Sequence, residues 1–535
     1  MYKAYTSTCE EVLGRVKREK KAWMSQGTWE KVEERRNLKA NIDTSRTRNQ
    51  KANAMKLYNR ADREVKRSCR KDKRKWISDK ATEAEEAASK QDMKTLYRIT
   101  KTLSGKRRQI DKPVQDKDGQ LLTVKEQQME RWREHFEEIL NRTPPPDPAE
   151  VEPPTDVLDI RTGPPSKAEI RKAIASLKNG KAAGIDGIPP EAWKEAGSLS
   201  VEALYPLLIR IWQEERIPLD WRKGILVKLP KKGDLTQCKN WRGIMLLSVA
   251  SKLLCRIILN RTANAMECKL RDNQAGFRPN RSCSDQIATL RIIVEQSAEF
   301  NSQLYAVFVD YEKAFDSLDR STLWNILDHY GIPTKIISMV KVFYNNFQAQ
   351  VSHGGDLTEP FNMTTGVRQG CLLSPLLFIT ALDWVMRETT KEGRTGIQWT
   401  LTTMLDDLDF ADDLALLSHS ISQMRTKTQK LETNSSRVGL KISASKTKEM
   451  RVKTVGNARP VCCQGTELEL VKEFTYLGSV ISNDGGTTKD VETRIGKAKA
   501  SFAQLKPIWR ARNISVRTKL RILEAKRKVC LTVRL

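Results

Sequence analysis

The chain has 535 residues, and its 94 Lys and Arg against 66 Asp and Glu give a formal net charge of +28 at pH 7. A basic excess of this size favours a polyanionic partner, nucleic acid before an anionic membrane. The ten cysteines form no CxxC pair and the four histidines are dispersed, which excludes a zinc site of standard spacing and argues against histidine-based catalysis. The N-terminus lacks an apolar signal sequence, and Asp383 interrupts the most apolar stretch. We therefore expect a soluble protein without a membrane span, in the reducing nucleus or cytoplasm.

The positive charge is concentrated at the start of the chain. Residues 1–110 contain 31 Lys and Arg and 15 Asp and Glu, and very little Gly or Pro. This composition predicts long, sparsely packed helices, and we interpret residues 1–143 as a basic helical arm. Such an arm either contacts nucleic acid or is a solvated surface.

A proline-rich stretch marks the clearest boundary of the chain. Before it, apolar residues at three- and four-residue spacing predict an amphipathic helix over 121–140. Residues 144–165 then form the linker. After it, Ser166 with Glu169 three residues later is typical of a capping box and predicts that a helix begins there and runs to Leu177. The last fifty residues return to a basic amphipathic pattern, which indicates further helices.

Acidic residues stand at the ends of two apolar segments. Leu304–Val309 has the β-branched and aromatic composition of a buried strand, and Asp310 follows it directly. Asp412 and Asp413 lie between two apolar runs, where they fit the tip of a β-hairpin better than a strand interior. Between these segments, the loop Thr365–Phe378 contains Ser374-Pro375, which favours the first turn of a helix. A carboxylate cluster presented from an apolar sheet is typical of a metal site for phosphoryl transfer.

The order of these elements resembles the palm of a reverse transcriptase: a strand that ends on an acid, a loop that opens a helix, and then an acidic hairpin. Residues 170–510 resemble the polymerase of non-LTR (LINE-type) retrotransposons, with further blocks in family order: Lys181–Ile188, Leu229–Asp234, Asn240–Ile244, Gln274–Arg278, Gly439–Thr447 and Phe474–Ser479. The resemblance implies an α+β right-hand polymerase with fingers, a palm built on a ferredoxin-like antiparallel sheet, and a partial helical thumb. Its expected parts are an N-terminal extension of the fingers (166–210), fingers and palm (211–481) and the partial thumb (482–535).

The resemblance also implies the catalytic residues. Asp310, Asp412 and Asp413 would bind two Mg²⁺ ions, with Mn²⁺ as a possible substitute, because hard cations prefer carboxylate and phosphate oxygens. Lys446 would protonate the departing pyrophosphate. We expect the other acids of these segments to be solvated or structural: Asp316, Asp319, Asp406, Asp407 and Asp409.

For the nucleotide, the resemblance points to Arg242 as the guanidinium that clamps the triphosphate. Phe315 would exclude a ribose 2′-hydroxyl, with a plain core phenylalanine as the alternative. Gln369 would line the pocket, unless it is an ordinary loop amide, and Gly370 would let the backbone approach the substrate. The supporting phosphate ligands, which are otherwise surface charges, are Lys228, Lys231 and Lys232.

The expected function is RNA-directed DNA polymerisation, with an RNA template, a DNA primer or target and deoxynucleoside triphosphates as partners. The endonuclease expected upstream in such elements is absent from this sequence, so we expect a truncated fragment. A catalytically silent nucleic-acid-binding relic is the alternative from another class, and a group II intron-type maturase is a weaker one. The sequence does not determine the oligomeric state.

Overall fold

The computed structural model describes residues 21–90, 92–104, 113–391, 393, 395–400, 402–456, 458–512 and 514–531. The chain divides into two compact units, one of residues 1–14 with 109–487 and one of residues 15–108 with 488–535. In the described part of the chain, no helix combines the length and apolar character needed to cross a bilayer. The domain boundaries expected from the sequence remain predictions.

The described α-helices, in chain order, are Gln26–Thr44, Arg48–Ser89, Met93–Ser104, Lys125–Leu140, Lys167–Ala175, Pro190–Glu195, Gly197–Glu214, Val249–Glu267, Cys283–Glu299, Ala314–Ser317, Arg320–His329, Thr334–Tyr344, Ser374–Thr390, Ile421–Arg437, Thr488–Gln504, Lys506–Arg510 and Val516–Leu531. Short 3₁₀ helices span Leu219–Arg222 and Cys238–Asn240.

The described strands are β1 (Val114–Gln115), β2 (Leu121–Leu122), β3 (Lys223–Pro230), β4 (Trp241–Leu246), β5 (Leu304–Val309), β6 (Gln348–His353), β7 (Asp356–Leu357), β8 (Phe361–Asn362), β9 (Ile397–Gln398), β10 (Met404–Leu405), β11 (Asp407–Phe410), β12 (Asp413–Ser418), β13 (Lys448–Val452), β14 (Cys462–Cys463), β15 (Thr466–Glu467), β16 (Glu469–Val471), β17 (Glu473–Tyr476) and β18 (Ser479–Ser482).

The central sheet of the larger unit has the order β11-β12-β5-β13-β16. Its first four strands are antiparallel neighbours, and β13 pairs with β16 in parallel. All six residues of β5 are buried. Tyr305, Val307 and Val309 pack into one apolar cluster and Leu304, Ala306 and Phe308 into another, as strand alternation requires when both faces are covered. The predicted strand at 304–309 is confirmed.

A second sheet of the same unit is built on β3. It has the order β4-β3-β6-β7, with β8 also pairing with β6. β3 runs antiparallel to β4 and parallel to β6. Both sheets are mainly antiparallel, and helices surround them. The expected α+β class is therefore confirmed.

Two of the predicted helix starts are confirmed. Ser166 and Glu169 form the capping box that opens Lys167–Ala175, and Pro375 lies in the first turn of Ser374–Thr390. The prediction of a helix from residue 121 is wrong at its start. Leu121–Leu122 is a strand paired with β1, because Asp116 accepts hydrogen bonds from the backbone of a tight turn and Gly119 adopts a φ of +89° there.

The smaller unit is helical. Thr47 and Gln50 form a capping box at the start of the 42-residue helix Arg48–Ser89. Its apolar face, which includes Ile77, packs in one buried cluster with Ile99, Leu505 and Ile522. The helices predicted near both ends of the chain are therefore confirmed where they are described, whereas residues 1–20 and 105–112 lie outside the described part. The first and last helical segments share one core.

Candidate active site

The three predicted metal ligands come together at one edge of the central sheet. Asp310 directly follows β5, and Leu414 on β12 pairs with Val309. Continuing that antiparallel register by one residue places Asp413 opposite Asp310. Ala411 and Asp412 form the turn of the β11–β12 hairpin, closed by the pair Phe410–Asp413. The sheet thus presents Asp310, Asp412 and Asp413 together at the ends of neighbouring strands.

The electrostatics of this edge favour a cation. Burial raises the pKa of Asp412, and the charge of Asp310 adds to the rise while Arg242 opposes it. Loss of water around Asp413 raises its pKa to about 6, and the charges of Asp412 and Asp310 add to that effect. Like charges held close together resist ionisation, and a bound cation relieves their repulsion. The oxygen donors present fit a magnesium ion, which takes one or two carboxylates and completes its shell with water and phosphate.

Among the described residues, no group of three or more His, Cys, Asp or Glu side chains has the spacing to hold a metal ion, so Asp310, Asp412 and Asp413 are neighbours and not a preformed ligand set. Lys446 lies beside the acids: its Nζ is 3.0 Å from Asp310 Oδ1, and both side chains are partly exposed. The loop that carries Lys446 is fixed to the end of β5, since Ser443 N donates to Asp310 O at 2.8 Å and Asp310 N donates to Thr447 Oγ1 at 3.3 Å. The lysine and the first acid therefore face one another.

Arg242 approaches the acids from the second sheet. It is exposed on β4 opposite Leu229, and its charge acts on both Asp412 and Lys231. Lys231 also interacts with Lys313, whose pKa falls to about 8 because of burial and the neighbouring Lys231 charge. The charge of Arg242 thus acts on Asp412, whereas those of Lys231 and Lys313 act on Asp316.

The other two supporting lysines differ from each other. Lys232 is exposed in the turn after β3. Lys228 is buried; its Nζ bonds to His353 Nδ1 and lies 4.5 Å from the centre of the Trp132 ring. Because a buried lysine is held by such partners, Lys228 contributes to packing under the second sheet and does not line the acidic edge.

Phe315 lies in a row of aromatic rings. Its ring stacks on Phe378 at 4.3 Å between centroids and meets the edge of Phe277 at 6.1 Å. Phe277 is 56% exposed and has a φ of +59°, which is uncommon for a bulky residue. Phe315 is therefore half-buried, with a core partner on one side and an exposed aromatic ring on the other.

Gln369 and Gly370 are held by backbone contacts with β4. Met245 N donates to Gln369 O at 2.6 Å, and Gln369 Nε2 donates to Asp316 Oδ1 at 2.9 Å. Gly370 has a φ of +126°, and a Cβ there would lie 2.3 Å from Met245 O. Only glycine fits this close approach to β4, and the approach of the Gly370 backbone to the substrate stays a prediction.

Asp316 provides a pH-dependent prediction. Burial raises its pKa from 3.8 to about 6, against the opposing effects of Lys313, Gln369, Arg142 and Lys231. Because the folded pKa exceeds the unfolded one, the stability linked to protonated Asp316 is lost as the pH rises from about 4 to about 6. Asp316→Asn should abolish this pH-dependent loss, which is up to about 3 kcal/mol of the free energy of unfolding. Denaturant unfolding measured at pH 4 and pH 7 should show that the variant has a higher free energy of unfolding than wild type only at pH 7. A difference that does not depend on pH would contradict this.

The remaining acids are structural in this fold. Asp319 caps the helix Arg320–His329, accepting from Thr322 N at 2.8 Å. Asp406 pairs with Lys427 at 2.8 Å. Asp407 and Asp409 are fully buried on β11 and bind one guanidinium, that of Arg271, at 2.9 and 2.7 Å. Sequence reasoning placed these acids outside the metal site but missed Arg271, because a lone arginine gives no signal of its tertiary partners.

A comparison with known protein families matches the part of the chain that contains these acids. The family described as reverse transcriptase (RNA-dependent DNA polymerase) matches residues 229–481. Those residues include Asp310, Asp412 and Asp413. Residues 229–481 thus match the reverse transcriptase family, and the chain is similar to proteins of retrotransposable elements.

Three relatives indicate the extent of the likeness. The "Transposon TX1 uncharacterized 149 kDa protein" of Xenopus laevis is 26% identical over 52% of this chain and 21% of its own length. The Pol polyprotein of the type-2 retrotransposable element R2DM of Drosophila melanogaster is 26% identical over 64% of this chain and 32% of its own. The "Probable RNA-directed DNA polymerase from transposon BS" of Drosophila melanogaster is 28% identical over 53% of this chain and 32% of its own length.

The chain therefore spans about a fifth to a third of the length of these relatives. Its α+β architecture, with mainly antiparallel sheets and helices at the N-terminus, fits a polymerase fold. Reverse transcriptases generally depend on divalent metal ions. The matched residues 229–481 contain the predicted site residues from Lys231 to Lys446, whereas Lys228 lies just before them.

Proposed function

We propose that this chain is an RNA-directed DNA polymerase that adds deoxynucleotides to the 3′-end of a primer. The observation that carries the proposal is the meeting of Asp310, Asp412 and Asp413 at one sheet edge, next to Arg242 and Lys446. A catalytically silent relic would be under no requirement to keep three neighbouring carboxylates beside these cations, two of which, Asp412 and Asp413, have pKa values raised by burial. The acid set therefore favours the enzyme over the relic.

Asp310 and Asp412 would hold the divalent ions, with Asp413 as the third acid. Two such ions, Mg²⁺ or in substitution Mn²⁺, supply stabilisation of the attacking and leaving oxygens in phosphoryl transfer. The three carboxylates provide the hard oxygen donors that these ions prefer. The hairpin fixes their spacing, because Asp412 is one of only two turn residues between paired strands.

The neighbouring side chains would bind and select the nucleotide. Arg242 would contact the triphosphate through its guanidinium, with Lys231 and Lys313 adding positive charge on the same side. Lys446, now paired with Asp310, would give a proton to the departing pyrophosphate. Lys232 would act as a more exposed supporting cation.

Phe315 would limit the sugar to deoxyribose by occupying the space of a 2′-hydroxyl. Gln369, held by its bond to Asp316, would present its amide along the nucleotide pocket, and Gly370 would keep that loop against β4. RNA template, DNA primer or target, and deoxynucleoside triphosphates are the partners that this reaction requires.

The experiment that tests the function is primer extension by the purified full chain on one sequence supplied as RNA or DNA template. We expect extension on RNA with all four deoxynucleotides and Mg²⁺, and none after addition of EDTA. A control omits one deoxynucleotide and should stop synthesis at the matching template base. Binding of the primer-template without any extension would favour the relic.

The basic helical unit supplies a separate prediction about affinity. Arg63, Arg67, Arg70 and Arg74 are exposed and follow one face of the helix Arg48–Ser89 at helical spacing. If they neutralise phosphates, changing all four to Gln should flatten the slope of log affinity against log salt by roughly 3 units, because each phosphate contributes roughly 0.7–0.9. RNA binding across a salt series measures the slope.

The matched control changes the same four arginines to Lys, which keeps the charge and should keep the slope. Substitution is preferable to deletion of residues 1–110, because Ile77 and Ile99 share a buried cluster with Leu505 and Ile522. Removing the arm would expose the apolar side of the C-terminal helices. Equal slopes for wild type and the four-Gln variant would show that these four arginines are a solvated surface and do not bind RNA.

A further inference from the structure

We propose that Gln274 is a positioning residue that sets the conformation of the hairpin turn carrying Asp412. The inference rests on the proposed function, because positioning matters only if Asp412 takes part in the reaction. Gln274 is 1% exposed and belongs to the larger unit. It is remote in sequence from the hairpin, yet its side chain bonds to the turn itself.

The amide of Gln274 makes three contacts that define its role. Its Oε1 accepts from Ala411 N at 2.8 Å and from Gly276 N at 2.7 Å. Its Nε2 lies 3.4 Å from Ala411 O. One side chain thus holds both backbone polar groups of Ala411, the residue immediately before Asp412. A buried N–H group that loses its acceptor destabilises the folded chain, so these bonds are strongly favoured.

Ala411 needs such support because of its backbone conformation. It has a φ of +58° in a two-residue turn. Two-residue hairpins favour Gly, Asn or Asp at positions with positive φ, because an L-residue with a Cβ is strained there. With Ala in that place, the turn residue itself does not supply the preference. The bonds from Gln274 stabilise the conformation that the sequence of the turn does not favour.

The segment around Gln274 is built to carry this contact. Residues 273–276 lie along β11: Ala275 N donates to Asp409 O at 2.9 Å, and Asp409 N donates to Asn273 O at 3.1 Å. A Cβ on Gly276 would lie 2.2 Å from Ala411 N, so the segment approaches the turn as closely as glycine allows. Buried Arg278 then donates to Gln274 O at 2.9 Å. The glutamine is therefore fixed from its own backbone side.

The backbone conformation of the turn sets the orientation of Asp412. Asp412 follows Ala411 directly, so the φ of Ala411 determines where the Asp412 carboxylate points relative to Asp310. In the described part of the chain, the Gln274 side chain makes no hydrogen bond with Asp310, Asp412 or Asp413, so it acts through the turn. Its loss should lower the rate of the bound complex more than the affinity for nucleotide, since Arg242 and the lysines lie on other segments.

The test compares Gln274→Met, which removes the hydrogen bonds at similar size, with Gln274→Glu, which keeps an acceptor oxygen. We expect Gln274→Met to lower kcat for primer extension by about 10- to 100-fold, the range for residues that orient a ligand, with little change in KM for deoxynucleotide. It should also need more Mg²⁺ for half-maximal rate. Gln274→Glu should stay closer to wild type than Gln274→Met.

Gln128→Met is the matched control. Gln128 is also buried and makes two hydrogen bonds, to Leu122 O at 2.8 Å and with His353 Nε2 at 2.8 Å, but none with the hairpin. It should lose stability to a similar extent and keep kcat. If both variants lose kcat equally, or if Gln274→Met keeps the wild-type kcat and Mg²⁺ requirement, Gln274 is merely a core residue and the inference fails.

A second readout does not depend on activity. Hydrogen exchange of the metal-free protein, followed in peptides that cover residues 405–417, should accelerate at Ala411 by roughly tenfold in Gln274→Met, as loss of one hydrogen bond predicts. Gln128→Met should leave this exchange unchanged. If wild type exchanges as expected but extends no primer, the proposed function fails while the structural role of Gln274 stands. Unchanged exchange in Gln274→Met overturns the inference whatever the activity.

Discussion

Asp310→Asn and Asp412→Asn are each expected to lower RNA-templated primer extension by about 1,000-fold or more. Each change removes a charged oxygen donor, and the metal ions that such donors hold are worth several kilocalories per mole of transition-state stabilisation. About 4 kcal/mol corresponds to a factor of roughly 1,000 in rate. RNA affinity should change little, because neither substitution removes a basic residue that could contact the phosphates. Single-turnover extension and filter binding on the same preparations measure both quantities.

Glu312→Gln is the matched control for these variants. Glu312 is a half-buried carboxylate two residues after Asp310, 4.0 Å from Lys441, and is not one of the three acids at the sheet edge. Its variant should extend primers at close to the wild-type rate. Near-normal extension by Asp310→Asn or Asp412→Asn would contradict the assignment of the metal ligands.

Phe315→Ala is expected to lower the preference for deoxynucleotides over ribonucleotides by roughly 10- to 100-fold, the range for space opened in a selective pocket. The ring is half-buried, stacked on Phe378 at 4.3 Å, and would otherwise occupy the place of a 2′-hydroxyl. The measurement is the ratio of kcat/KM for a deoxynucleotide and its ribonucleotide opposite the same template base. This ratio is independent of the fraction of active enzyme.

Phe315→Val serves as a second variant, because it leaves less empty space beside Phe378. It should lower discrimination to an intermediate degree. If both variants keep the wild-type ratio while their stability falls, Phe315 is a core phenylalanine and another residue selects the sugar.

The parts of the fold that the sequence could predict depend on local patterns. The apolar run of β5 has only one compatible element, and the capping box at Ser166 fixes a helix start within a few residues. Adjacent acids are unfavourable in a strand interior, so the sequence predicts a hairpin tip at Asp412 and Asp413. The structure places Asp412 in the turn and Asp413 at the first position of β12.

The remaining features depend on contacts between distant segments. Arg271 is joined to Asp407 and Asp409, and Gln274 to Ala411, over more than 130 residues of sequence. The motif Gln274–Arg278 could be noticed in the sequence, but its function as a support for the hairpin could not be deduced from spacing. Likewise, Lys228 and Lys231 are near neighbours in the chain, yet Lys228 is buried and Lys231 is exposed next to Arg242. Lys228 lies within β3 and Lys231 follows its end, a difference that appears only once the bounds of the strand are known.

Iron-mediated cleavage tests the central claim, that the three acids at the sheet edge hold the divalent ions, most directly. Fe²⁺ replaces Mg²⁺ at oxygen-rich sites, and peroxide with ascorbate then generates radicals that cut the backbone next to the bound ion. We predict cuts at Asp310 and at the Ala411–Asp413 turn, suppressed by excess Mg²⁺ and lost in Asp310→Asn and Asp412→Asn. Cuts elsewhere in the chain, or cuts at these positions that survive both substitutions, would contradict the account.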